Sequence, residues 1–80
     1  MIILKRDEDH FASLKNRNLL HIGALDRKYY VTHCGMGGGV IRFNLISARK
    51  IDNSDPDTFV CKRCIKSAAK RGRINVDHNL

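Results

Sequence analysis

The 80-residue chain carries a net charge of +7 and has a pI near 9.8, which describes one small basic domain. Folding at this size covers only about 60–65% of the extended chain's surface. Large apolar side chains are few, with three Phe, two Tyr and no Trp, so a metal or a partner subunit is expected as a staple. No stretch approaches the roughly 20 apolar residues of a membrane span.

Three cysteines, Cys34, Cys61 and Cys64, are an odd number, and a disulfide framework would leave one thiol over. Met1, Ile2, Ile3 and Leu4 form a short apolar run that Lys5, Arg6, Asp7, Glu8 and Asp9 cut off, so it does not read as a secretory segment. A reducing cytoplasm, where thiolates bind metal rather than each other, is the expected setting.

In chain order, Ile2, Ile3 and Leu4 suggest an edge strand or an arm within residues 1–17. Phe11 and Leu14 stand three apart, which suggests a short helical turn starting near Asp9. Leu19, Leu20 and Ile22 suggest a strand ended by Gly23, with residues 23–27 as a hairpin loop. Residues 28–32 form a second strand, with Tyr29 and Val31 on one face and Tyr30 and Thr32 on the other.

The glycine-rich stretch at residues 35–39 reads as a mobile turn or a close approach between backbones. It lacks the Gly-Lys-Ser/Thr ending of a phosphate loop and leads into a strand rather than into a helix. Residues 40–45 alternate with period two, and Ile41, Phe43 and Leu45 form the expected inward face. A polar loop follows to Asp57. From Cys61 the period becomes helical: Cys61, Cys64, Ile65, Ala68 and Ala69 share one face, while Lys62, Lys66 and Lys70 step by four around another. Gly72 is the expected terminator, and residues 74–80 are expected to be a flexible tail.

Cys61 and Cys64 have the two-residue spacing of a metal pair, at the start of a helix that brings both sulfurs to one side. Cys34 supplies a third thiolate, and Gly35 lets the backbone turn beneath it. Zinc requires a fourth ligand. His21, thirteen residues before Cys34 on the preceding strand, is favoured. His33 is adjacent to Cys34, and neighbouring side chains on an extended segment point apart. His10, His78, a carboxylate and a water are the remaining choices. The competing reading of Cys61 and Cys64 as a redox dithiol lacks the βαβ context that such a site uses.

The pattern of His21, then Cys34-Gly35, then Val60-Cys61-Lys62-Arg63-Cys64-Ile65 resembles a group of small zinc-ribbon-like proteins of bacteria and their phages. The likeness spans roughly residues 19–68, and it departs from that group in the loop through Asp57 and in Gly37-Gly38-Gly39. It implies a small α+β fold, a zinc-ribbon-like antiparallel β-sheet with a C-terminal helix, with His21, Cys34, Cys61 and Cys64 as the ligands. Residues 18–73 would be the zinc-binding domain.

The stretch from Cys61 to Arg73 holds Lys62, Arg63, Lys66, Lys70, Arg71 and Arg73 and no acid. Such a patch attracts polyanions, either nucleic acid or an acidic protein surface. Four ligands close a zinc site, and no His-x-Glu arrangement supplies a base, so catalysis is not expected. Asp77-His78-Asn79 has no second supporting element for a nuclease. The leading expectation is a non-catalytic binding module that contacts nucleic acid through the basic helix. The alternative is a phage-encoded inhibitor that blocks a host or immune protein. An edge-to-edge homodimer through residues 2–4 would help so small a core.

Overall fold

Alternation of buried and exposed positions builds eight strands and one helix over residues 1–76, the part of the chain that this computed structural model describes. Strands β2 (Asp9–Leu14), β3 (Leu20–Asp26), β4 (Tyr29–Thr32) and β5 (Gly37–Gly39) form an antiparallel meander. A 3-10 turn at Val40–Arg42 then carries the chain to β6 (Phe43–Ile46), which pairs with the far side of β2. The strand order is β5-β4-β3-β2-β6. Only three residues join the two outermost strands, so this sheet must curl. The ideal Cβ position of Gly38 lies 3.3 Å from Arg42 Cδ and 3.8 Å from Phe43 Cε2, which shows how closely the two rims approach.

The register separates two faces. Ala12, Tyr30 and Phe43 are buried together on one, with Leu14 and Leu25 against them. The rings of Tyr30 and Phe43 lie 4.9 Å apart at 59°, a tilted arrangement that suits aromatic quadrupoles. On the other face Phe11 and Ile22 stand directly opposite each other and are fully buried.

They are covered by a second layer. Strand β1 (Ile2–Leu4) lies between β7 (Lys50–Ile51) and β8 (Ile74–Val76), antiparallel to both. Helix α1 (Lys62–Lys70) completes the layer. Ile2, Leu4, Ile74, Cys64 and Ala68 form the core with Phe11 and Ile22. Burial of each large apolar side chain contributes about 1.5–3 kcal/mol.

The helix stops where its sequence says it should. Gly72 adopts φ 69°, a left-handed conformation that costs glycine little. The Gly72 amide donates to the Ala69 carbonyl and the Arg73 amide to that of Ala68, at 3.1 and 2.8 Å. This reversal sends Arg73 back towards β2 and feeds the chain into β8.

Several expectations change. Residues 9–14 form a strand rather than a helical turn. Asp9 and Ser13 are polar yet buried there, which hid the alternation. Strand β3 continues through Gly23 to Asp26, and the turn is the tight pair Arg27-Lys28, with Arg27 at φ 57°. Gly37–Gly39 is a paired strand rather than a mobile turn. Ile41 is 76% exposed because residues 40–42 form a 3-10 turn; Phe43 is buried and Leu45 is not. Strand β1 is central in its sheet, so neither of its edges is open for pairing with a second copy. Ile74–Val76, expected within the tail, pairs with β1. His78 and the rest of 77–80 lie outside the described residues.

Candidate metal centre

The two layers meet where β3, the turn after β4 and the start of α1 converge. His21 sits near the beginning of β3. The chain just before α1 runs beside it: the Leu20 amide donates to the Phe59 carbonyl at 2.8 Å, and the Cys61 amide to the Leu20 carbonyl at 2.7 Å. These bonds set Cys61 next to His21, and the first helical turn brings Cys64 round to the same side.

Cys34 arrives from the turn between β4 and β5. Gly35 takes φ 102°, a conformation that side chains with a Cβ rarely adopt, and no atom lies near its ideal Cβ position. Thr32 holds this turn together. Its hydroxyl accepts from the Met36 amide at 2.8 Å and lies 3.1 Å from the Cys34 sulfur. The sequence reading missed Thr32, although a hydroxyl residue two positions before a turn cysteine suits local bonding to the backbone.

One ligand atom from each of His21, Cys34, Cys61 and Cys64 falls in a group with no pair more than 4.8 Å apart. His21 Nδ1 lies 3.6 Å from the sulfurs of both Cys34 and Cys64. A tetrahedral ion bonded at about 2.3 Å to sulfur and 2.0–2.1 Å to nitrogen would place those atoms about 3.6 Å apart. The donor set and its spacing therefore fit one tetrahedral metal ion.

The electrostatics suit cation binding. Burial lowers the His21 pKa and favours the neutral imidazole that a metal requires. Burial opposes the Cys34 thiolate, but hydrogen bonds from Thr32, Cys64, the Met36 amide and Cys61 outweigh it and bring its pKa below the ordinary value. The deeper Cys64 thiol is pushed up to about 12, chiefly by burial, although the Ile22 amide bonds its sulfur. A cation among these sulfurs would offset the cost of ionising the buried Cys64 thiol.

Among the described residues, the other two histidines considered as ligands lie elsewhere. His33 is buried with Nε2 3.4 Å from the Asp9 carboxylate and Nδ1 3.4 Å from Arg71 Nη1. His10 Nδ1 lies 3.2 Å from the Glu8 carbonyl oxygen.

The six basic residues at the end of the chain separate into two groups. Lys62, Arg63, Lys66 and Lys70 are exposed on α1. Arg73 turns inward instead: Nε and Nη2 donate to the two oxygens of fully buried Asp9 at 2.9 and 2.8 Å, and Nη2 also reaches Glu8 at 3.2 Å. Arg71 is exposed yet leans on His33. The reversal at Gly72 explains the division. Lys70 is the last helical residue, Arg71 caps the helix, and Arg73 lies on the returning chain.

No helix among the described residues is long and apolar enough to cross a membrane. Comparison of the chain with protein-family models, curated proteins and solved structures finds no match to any of them.

Proposed function

We propose that the chain is a non-catalytic, zinc-stabilised module that binds nucleic acid through the exposed basic side of α1. One observation carries this reading: four metal-ligating side chains converge at the start of a helix whose outward positions are Lys62, Arg63, Lys66 and Lys70. Three sulfurs and one imidazole favour zinc over the hard cations, which prefer oxygen. Four protein ligands complete a tetrahedron and leave no position for an activated water, which argues against catalysis. The likeness of His21, Cys34-Gly35 and Cys61-x-x-Cys64 to small bacterial and phage zinc-ribbon-like proteins supports the same ligand set. Three free thiols suit a reducing cytoplasm.

On α1, Lys62, Lys66 and Lys70 recur about every 6 Å along the axis, given a rise of 1.5 Å per residue. A row of this kind follows a phosphate backbone and carries little sequence information. The test is binding of zinc-loaded protein to duplex and single-stranded oligonucleotides across a salt series. Affinity is expected to fall steeply with salt, and K66A/K70A is expected to flatten the log–log slope by roughly 1.5–2. Binding that is absent, or unaffected by salt, would overturn the reading.

Exposure of Phe59, at 60%, just before the helix favours a second reading in which α1 docks on an acidic protein surface, as a phage-encoded inhibitor of a host protein would. A specific bacterial partner that stays bound after nuclease treatment would select it.

A further inference from the structure

Beyond the end of α1, Arg71 and Arg73 line a cleft of about 320 Å³ together with Arg6, Thr32 and His33. None of these residues is among the four that converge at the metal centre. We propose that this cleft is a binding site for a phosphate group.

The charge distribution carries the proposal. Arginines are concentrated at this end of the molecule. Arg6, Arg71 and Arg73 line the cleft, and Arg49 donates to the backbone carbonyls of Asp9 and Arg6. Two carboxylates oppose them: Asp9, fully buried and held in the fork of Arg73, and Glu8, which is 44% exposed. The surplus is positive, and Asp9 lies beneath the surface while Arg6 and Arg71 are exposed. Arg73 meets Asp9 through Nε and Nη2, which leaves the N–H groups of Nη1 as further donors.

The hydrogen bonding adds a second, independent sign. Arg71 can only donate, so His33 Nδ1 is the acceptor in their 3.4 Å contact and the proton sits on Nε2. That Nε2 is buried and lacks a close hydrogen-bond partner; Asp9 Oδ1 lies 3.4 Å away in an ion-pair contact. Buried donors without acceptors are rare and mark places where a ligand or ion completes the network. A tetrahedral oxyanion offers the several acceptors that forked guanidinium groups match in pairs. A phosphate ester on a nucleic acid and a small phosphate compound share this chemistry.

The test uses zinc-loaded protein and inorganic phosphate, compared with chloride at equal ionic strength. Phosphate at ten times its dissociation constant is expected to raise the Tm by about 5–10 °C. R6Q/R71Q changes two exposed side chains and is expected to fold normally and to lose that shift. K66A/K70A is expected to keep it, so this proposal can stand where nucleic-acid binding by α1 fails, and the reverse. Equal melting in phosphate and chloride, or a shift retained in R6Q/R71Q, would overturn it. Two oligonucleotides then identify the source. Displacement of phosphate by a 5′-phosphorylated strand but not by its 5′-hydroxyl twin assigns a terminal monoester, and displacement by both assigns backbone diesters.

Discussion

Arg73 shows how a basic residue in a basic stretch can be taken up by an ion pair inside the protein. It joins Asp9 at the start of β2 to the chain that leaves α1, 64 positions away in sequence. R73A would leave a fully buried carboxylate unpaired and is expected to cost about 3–5 kcal/mol in chemical denaturation of the zinc-loaded protein. R73K is expected to recover only part of this, because an ammonium group cannot form the two parallel bonds. A loss below about 0.5 kcal/mol, the usual scale for exposed positions, would show the pair to be incidental. The pair was not legible in the sequence, where Asp9 looks like a solvent-facing acid or a helix start. Its partner can be found only once the Gly72 reversal is known. The convergence of the candidate metal ligands was more legible, because Cys61-x-x-Cys64 and Cys34-Gly35 state their geometry locally. His21 needed only the pairing of two neighbouring strands.

Elements with a clean period were legible too. Strand β4 buries Tyr30 and Thr32 and exposes Tyr29 and Val31, as alternation requires. Helix α1 buries Cys64 and Ala68 at helical spacing. In residues 40–46 the strand and its buried Phe43 were legible, but the 3-10 turn at 40–42 was not, because the curl of the sheet demands it inside an alternating sequence. Gly23 marks the same curl. A Cβ there would lie 2.4 Å from the Val31 carbonyl oxygen, 2.8 Å from Thr32 Cα and 2.9 Å from the Tyr30 ring. Two of these neighbours are backbone atoms and cannot turn aside. G23A is therefore expected to destabilise the protein by about 1–3 kcal/mol. It should also weaken metal affinity, measured against a chromophoric chelator, because β4 leads directly into the Cys34 turn. An unchanged affinity with full stability would show that β3 and β4 can separate without cost.

For the molecule as a whole, one ion would join β3, the turn after β4 and α1. Removal of zinc by a chelator is expected to unfold the chain cooperatively, with helical and sheet signals lost together. Acid should do the same. His21 has a folded pKa below the ordinary 6.5, so its neutral form supports the fold fully above that value. This support is lost as pH falls through the folded pKa. The Cys64 thiol, near 12 without metal, must give up its proton on binding, so affinity should rise with pH through neutrality. Metal release followed by absorbance from pH 8 down to 5 checks both signs. Affinity that is flat across that range would contradict them.

The central place of β1 also has a consequence for synthesis. Ile2 pairs with Ile51 on one side and Val76 on the other. Residues 2–4 must therefore wait for residues 74–76 to be made before their sheet can close. Until then the apolar faces of Ile2 and Leu4 have no strands beside them, while the β2–β6 sheet can already pair from earlier sequence. A nascent chain released early would lack β8 and half the hydrogen bonding of β1. Synthesis of β8 is thus the step that seals β1.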